Sequence, residues 1–264
     1  TLQSQGKLAN VARPLFFEGA PLPLIAYEPY WRNGVLAPTL EQIDFEENLL
    51  VGMDCWIKAG FSLYEMHSHK LAHGDFRGAQ VCIADNDIPY IIDLEAVIEV
   101  DRPVFLVKLT ASEKSGWFLE QVVSDTDVGI PRSCNHDFYD WERVKNLASA
   151  KFETASKISI TGSSVQAADI KAYALAFLDF LFGDPTPENV QRYDKRAISA
   201  VQVLQTHTTF ANLVDVRGKR LEVEKIFEQI VQLLYQLCII PDNLSYFSFS
   251  LQKLNDLILR IPNL

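Results

Sequence analysis

Leu49, Met53, Trp56, Ile57, Gly60, Phe61 and Tyr64 recur at helical spacing, and the run "DFEE" at residues 44–47 reads as charging the first turns of that helix. This pattern predicts a long amphipathic core helix. "AADIKAYALAFLDFLFGD", residues 167–184, is apolar on nearly every side, so it predicts a helix buried all round and stopped by Gly183 and Pro185. Two more amphipathic helices follow, one through Val223, Ile226, Phe227, Ile230, Leu234 and Leu237, the other through Leu251, Leu254, Ile258 and Ile261. Between the first two helices the period changes. "AQVCIAD" and "IPYIIDLEAV", separated by the polar turn "DNDIP", predict a hairpin, and "PLPLIAYEP" at residues 21–29 predicts an earlier strand ended by Pro29 and the Asn33-Gly34 pair. Residues 124–166 are mixed and polar: "SDTDVGIPRS" and "SITGSS" read as loops and residues 137–155 as a helix. The class expected from these elements is α+β, mostly helical.

With 264 residues, 48% of them hydrophobic, the chain suits one unit with a sizeable core. No internal repeat or low-complexity tract divides it. A net charge of -10 repels phosphate backbones and anionic bilayers, so basic protein surfaces are the expected partners, with no direct nucleic acid and no membrane. The four cysteines are scattered without a CxxC pair, which fits a reducing compartment. The longest apolar stretch is too short to cross a bilayer, and a soluble intracellular protein is expected. The chain begins at Thr1, which suggests a piece of something longer.

The chemistry is concentrated in residues 73–95. "HGDFRGAQ" sets His73, Asp75 and Gln80 at the spacing of a phosphotransferase catalytic loop, in which an aspartate orients the acceptor hydroxyl and an asparagine five positions later holds magnesium. "DLE" sets Asp93 and Glu95 where a metal-binding D-F-G belongs. Two positions depart from the pattern. Gln80 is one methylene longer than asparagine, and Glu95 replaces a glycine with a second carboxylate. Upstream, Lys7 is the only lysine before Lys58, and Gly6 and Gly19 stand alone, so a phosphate-clamping lobe is missing from this chain.

These residues resemble the C-lobe of eukaryotic protein kinases, over most of the chain from about residue 15 onward. Within that superfamily they are most similar to the Bub family of mitotic checkpoint kinases and pseudokinases, and there to the Bub-like kinetochore pseudokinases of kinetoplastids. Residues 49–100 are similar to the family's helix, HGD loop and the segment after the metal motif. "LTASEKSGWFLEQVVSD" is similar to its short activation segment, with a helix carrying Glu120. "AADIKAYALAFLDFLFGD" is similar to the buried kinase helix whose aspartate, here Asp169, anchors the catalytic loop from beneath. The resemblance implies one pseudokinase domain over residues 1–264, with 1–29 an N-lobe remnant and hinge, 30–264 a helical C-lobe, and 124–166 an insertion. It also implies the C-terminal part of a longer nuclear, kinetochore protein acting in chromosome segregation and the spindle checkpoint, with other kinetochore proteins as partners and no cofactor. His73, Asp75, Gln80, Asp93 and Glu95 would then be vestigial, and Asp169 and Glu120 structural. The alternative is an active atypical kinase, in which Asp75 orients the acceptor and Asp93 and Glu95 hold the magnesium of ATP.

Simpler readings stand beside these. His67 and His69 are expected to be a surface pair, with His73 packed in the loop and no metal among the three. Asp75 and Asp93 are expected to hold the loop as hydrogen-bond acceptors. Read locally, Asp169 is accounted for as the N-cap of an apolar helix. Glu41, Asp44, Glu46 and Glu47 are expected to be solvated. Trp31, Trp117, Trp141 and Tyr246 are expected to be core or half-buried residues, with exposed aromatics as possible partner anchors.

Overall fold

The computed structural model describes residue 11 and residues 14–16, 25–27, 30–43, 49–111, 114–121, 157–182, 220–239, 241 and 243–261. Among them four helices and several small sheets make an α+β arrangement in which helix is the larger share. Helix α1, Leu49–Ser68, obeys the predicted period, burying Leu49, Met53, Trp56, Ile57 and Leu63. Helix α2, Gly162–Phe182, is buried without interruption from Ala172 to Leu178, as its all-round hydrophobicity predicts. Helices α3, Arg220–Ile239, and α4, Leu244–Arg260, complete the layer: α2 packs on α3, α3 on α4, and α4 on α1. Gly60 makes the last contact close. A Cβ there would lie 2.5 Å from Leu251 and 2.7 Å from the Tyr173 hydroxyl.

Two of the described helix starts are set by side-chain caps. Thr161 Oγ1 accepts the Ser164 N–H at 3.1 Å and Asn243 Oδ1 that of Tyr246 at 2.9 Å, each satisfying a donor the helix leaves open. Thr161, not Asp169, therefore begins α2. Gly162 sits so close to the 100-residue corner that a Cβ would press on the Val100 backbone.

The predicted hairpin is present as β6, Val81–Ala84, paired antiparallel with β7, Ile88–Ile91, and it packs on α1. Strands β1, Pro14–Phe16, and β2, Ile25–Tyr27, pair antiparallel. The Asn33-Gly34 pair, expected to break a strand, instead turns one: φ is 53° and 78° at the two residues, the left-handed pair that a tight hairpin needs between β3, Trp31–Arg32, and β4, Val35–Leu36. Arg32 pins this hairpin to the β6–β7 turn through Asp87 at 2.7 Å and the Ala84 carbonyl at 3.2 Å. Trp31 is 53% exposed rather than core, with Val35 and Leu36 beside it; Tyr246 is half-buried.

Strand β5, Leu71–Ala72, pairs with β8, Ile98–Glu99. A three-stranded sheet follows, in the order β10, β9, β11: β9 is Val104–Ala111, β10 Lys114–Gln121 and β11 Lys157–Ile160. This sheet corrects two expectations. Glu120 lies on β10 opposite Phe105, not on a helix. Of the interval 124–166, residues 157–160 form β11 and residues 162–166 open α2, so strand and helix stand where "SITGSS" was expected to be a loop. The helix expected at 137–155, with Trp141, and the stop at Gly183 and Pro185 lie outside the described residues.

Two apolar clusters result. The larger joins α1–α4 with Phe76, Val81, Ile83 and Ile91; the smaller joins β5 and β8–β11 with Val165, Ala168 and Ala172 of α2. Helix α2 belongs to both, with Asp169 between Ala168 of one cluster and Ile170 of the other.

Candidate functional site

The loop His73–Gln80 runs from β5 to β6 across α2. Asp169, with no exposed surface, reaches it from beneath: its Oδ2 accepts the His73 N–H at 2.7 Å and its Oδ1 the Gly74 N–H at 2.9 Å. Its third partner is His67, whose Nε2 stands 3.0 Å from Oδ2. One carboxylate thus gathers the end of α1, the start of the loop and the middle of α2. Gln166, one turn earlier, ties the same junction by donating to the carbonyls of His67 at 2.9 Å and Leu71 at 3.1 Å.

The three histidines diverge. His67 is buried on Asp169, correcting the expectation of a surface pair; His69, one residue past α1, has Nδ1 2.9 Å from the Glu65 carbonyl of that helix. His73 is buried with both ring nitrogens used: Nε2 donates to the Ile92 carbonyl at 3.1 Å, and Nδ1 accepts the Asp75 N–H at 3.2 Å. Those partners fix a neutral ring with the proton on Nε2. Burial also pushes its pKa below the ordinary 6.5, against the pull of Asp169. Among the described residues no group of three or more His, Cys, Asp or Glu side chains is arranged to hold a metal ion.

Gly74 has φ +80°, and a Cβ on it would fall 2.6 Å from the Ala96 carbonyl oxygen and 2.9 Å from Leu119. Glycine is required on both counts. Phe76 then turns inward, fully buried against the His73 ring at 5.8 Å and the Tyr173 ring at 6.1 Å.

Asp75 is nearly buried and poorly satisfied. Its closest side-chain partners are the Gln80 amide at 3.4 Å and Arg77 Nη2 at 3.9 Å. Burial raises its carboxyl to about 6 from an ordinary 3.8; Arg77 and the Gln80 amide pull it down, while Asp93 and Asp169 add to the rise. Gln80 is itself buried, with its backbone carbonyl accepting the Ile92 N–H at 2.8 Å, which joins the loop to the DLE segment. Asp93 sits in the left-handed region, φ 56° and ψ 58°, at the head of the 3-10 turn Leu94–Ala96, and its carboxylate caps nothing there. The side chain of Glu95 lies outside the described residues. Of the pair expected to hold the loop as acceptors, Asp75 accepts the long Gln80 contact and Asp93 caps nothing, while the short hydrogen bonds to the loop backbone go to Asp169.

Glu120 is buried at the far end of β10. Its neighbour Gln121 has the more legible role, since its amide donates to the Glu99 carbonyl at 2.7 Å and accepts the Glu99 N–H at 2.8 Å, extending the β5–β8 pairing to the three-stranded sheet. Gln121, Gln166 and His67 carry no local sequence signal, because their partners lie 22 to 102 positions away.

No family model matches this chain, and no curated protein matches it. No helix among the described residues is long and apolar enough to cross a membrane.

Proposed function

We propose that this chain is a pseudokinase of Bub-like type: a protein-kinase C-lobe with residues 1–29 as N-lobe remnant and hinge, serving as an interaction module for other kinetochore proteins in chromosome segregation in the nucleus. The observation that carries the reading is the buried α2 carboxylate of Asp169 holding the backbone of an HGD loop 96 and 95 residues earlier in the chain. A loop anchored this way keeps the frame of phosphotransfer. Two positions depart from the phosphotransfer pattern, Gln80 for asparagine and Glu95 for glycine, while Gln80 Nε2 donates to Asp75 and His73 closes on the Ile92 carbonyl. Function then resides in surfaces rather than in the old cleft.

One observation favours the alternative, an ATP-dependent phosphotransferase. A carboxyl with a pKa of about 6 lies in the range of a general base, and Arg77 stands beside it. Thermal unfolding with and without millimolar ATP and magnesium separates the two, because a ligand bound only by the folded state raises the midpoint. The pseudokinase reading expects no magnesium-dependent shift. A shift lost in Asp93→Ala would overturn it.

A further inference from the structure

Asn33-Gly34 is the one place in the sequence where an asparagine or aspartate precedes glycine. Glycine puts no side chain beside its own peptide nitrogen, so the Gly34 nitrogen can approach the Asn33 side-chain carbonyl carbon and close an imide ring. The fold leaves each participant open. Both residues are exposed, and a Cβ on Gly34 would meet nothing within 4 Å. Among the described residues the Asn33 side-chain amide, the Asn33 carbonyl oxygen and the Gly34 N–H make no hydrogen bond; the pair is held by the Asn33 N–H, which donates to Asp85 Oδ1 at 2.7 Å. With φ +53° and +78° the two residues form a type I′ turn. In that turn ψ of the first residue is about +30°, whereas ring closure needs the next nitrogen eclipsed with Cβ, at ψ of about −120°, the value of the type II′ turn. A flip of the 33–34 peptide plane alone converts one turn into the other. Two-residue hairpins use both turns and glycine accepts either sign of φ, so the flip keeps β3 and β4 paired and breaks none of the hydrogen bonds described.

We propose that Asn33 is a self-modification site, at which the Gly34 nitrogen attacks Asn33 Cγ within the folded hairpin and the residue becomes aspartate or isoaspartate. The Gly34 amide proton passes to water, the N–Cγ bond forms, and the side-chain amino group takes a proton from water and leaves as ammonia, giving a cyclic imide. Water then opens the ring. Cleavage at Cγ leaves an ordinary aspartate; cleavage at the backbone carbonyl leaves isoaspartate, whose chain runs through Cγ and whose α-carboxylate is free. Either product adds a carboxylate at a residue whose N–H sits 2.7 Å from the Asp85 carboxylate, with Asp87 in the same turn. Isoaspartate also inserts a methylene into the main chain of a two-residue loop, where length fixes the Arg32–Val35 and Trp31–Leu36 register. Conversion therefore opens the hairpin, loosens the Arg32 clamp on Asp87 and Ala84, and rearranges the exposed surface of Trp31, Val35 and Leu36.

The proposal is independent of the pseudokinase reading. Its test incubates the whole folded chain at pH 8 and 37 °C beside the capped peptide Tyr-Trp-Arg-Asn-Gly-Val-Leu, the sequence of residues 30–36. Isoaspartate is read as methyl groups accepted from labelled S-adenosylmethionine through an isoaspartyl-specific carboxyl methyltransferase, and peptide mass mapping locates it. The folded chain is expected to convert at Asn33 within about tenfold of the peptide's rate, since the fold adds only the plane flip of an exposed turn. Asn33→Gly, which keeps the positive φ of the turn, should lose the methyl acceptance, with circular dichroism and the unfolding midpoint checking that the variant is folded. The converted chain, separated by ion exchange through its added charge, should exchange amide hydrogens faster across β3 and β4. Conversion more than about tenfold slower in the folded chain than in the peptide would show that the turn protects Asn33 and would overturn the proposal. Methyl acceptance undiminished in Asn33→Gly would do the same. Unchanged exchange in the converted chain would overturn the opening of the hairpin.

Discussion

Replacing Asp169 by alanine removes an acceptor that serves three buried donors at once: the N–H groups of His73 at 2.7 Å and Gly74 at 2.9 Å, and His67 Nε2 at 3.0 Å. Water cannot easily replace it, since Asp169 has no exposed surface. A single orphaned buried donor costs about 1 to 3 kcal/mol, but the three share one carboxylate and will not add in full. Deleting one partner of a buried charged cluster costs about 3 to 5 kcal/mol, and that is the loss expected for Asp169→Ala. Asp169→Asn keeps one carbonyl oxygen and turns an NH2 group toward the remaining donors, so about 2 to 3 kcal/mol is expected. Urea unfolding of the two variants and the parent gives the comparison, provided the slope is unchanged. Native-state hydrogen exchange at the Gly74 amide locates it, because that proton should exchange faster in both variants. A midpoint moved by less than about 0.5 kcal/mol in Asp169→Ala, the range of an inconsequential surface change, would refute the anchoring argument.

Asp75 should behave in the opposite sense. Its folded-state pKa, about 6, lies above the ordinary 3.8, so the folded protein holds the proton more tightly and stability falls as pH rises from about 4 through 6. The loss amounts to at most about 3 kcal/mol, so Asp75→Asn should be more stable than the parent at pH 7.5 and equal to it near pH 4; a variant weaker at both pH values would show that the ionised form is supported after all. Gly74→Ala meets both a positive φ and the Ala96 carbonyl oxygen, and should destabilise by about 2 kcal/mol or more in thermal unfolding, with an unshifted midpoint counting against the tight fit. Gly162→Ala presses on the Val100 backbone whereas Gly60→Ala meets only side chains, the end of Leu251 and the buried Tyr173 ring, so Gly162→Ala should be the more destabilising of the two, and the reverse order would contradict the packing described. Cys55, Cys82 and Cys238 are buried with thiols pushed up to about 12, 11 and 12, so a thiol reagent at pH 8 should modify them only on unfolding, as mass spectrometry of the native and denatured protein can check.

The helices were legible because their signal is local. Leu49 to Tyr64, Val223 to Leu237 and Leu251 to Ile258 each repeat at helical spacing, and burial in the structure follows that spacing except at Phe61 and Tyr64, which are partly buried. The β6–β7 hairpin was legible for the same reason, with polar "DNDIP" between two apolar runs. The three-stranded sheet was missed although "VFLV" at residues 104–107 is a short run of β-branched and aromatic residues after Pro103, a strand signal; in the structure Val104 and Leu106 are buried and Phe105 and Val107 partly so. A family expectation of a helix around Glu120 displaced that simpler pattern. Asp169 shows the reverse. Its local reading as an N-cap fails, since the helix begins seven residues earlier at Gly162, and only the expectation of a loop anchored from a buried helix pointed to the contacts it makes. His67 was illegible either way, because a histidine beside His69 and a short loop reads as surface until a partner 102 residues away is known.

The two aspartates of the loop region act on stability in opposite senses. Asp169 accepts three short hydrogen bonds and steadies the backbone of His73 and Gly74; Asp75, next in the chain, has among the described residues no hydrogen bond shorter than 3.4 Å to its carboxylate and is harder to ionise for being there. Stability therefore favours keeping Asp169 and gains from replacing Asp75, while catalysis would require both. The double variant Asp75→Asn/Asp169→Asn makes the separation measurable. If the loop's scaffold and its reactive carboxyl are energetically independent, the two effects on the unfolding midpoint at pH 7.5 should sum within about 0.5 kcal/mol despite their nearness. Strong coupling would mean that Asp169 exists to hold Asp75 in its costly position, the arrangement of a working phosphotransferase and not of an interaction module.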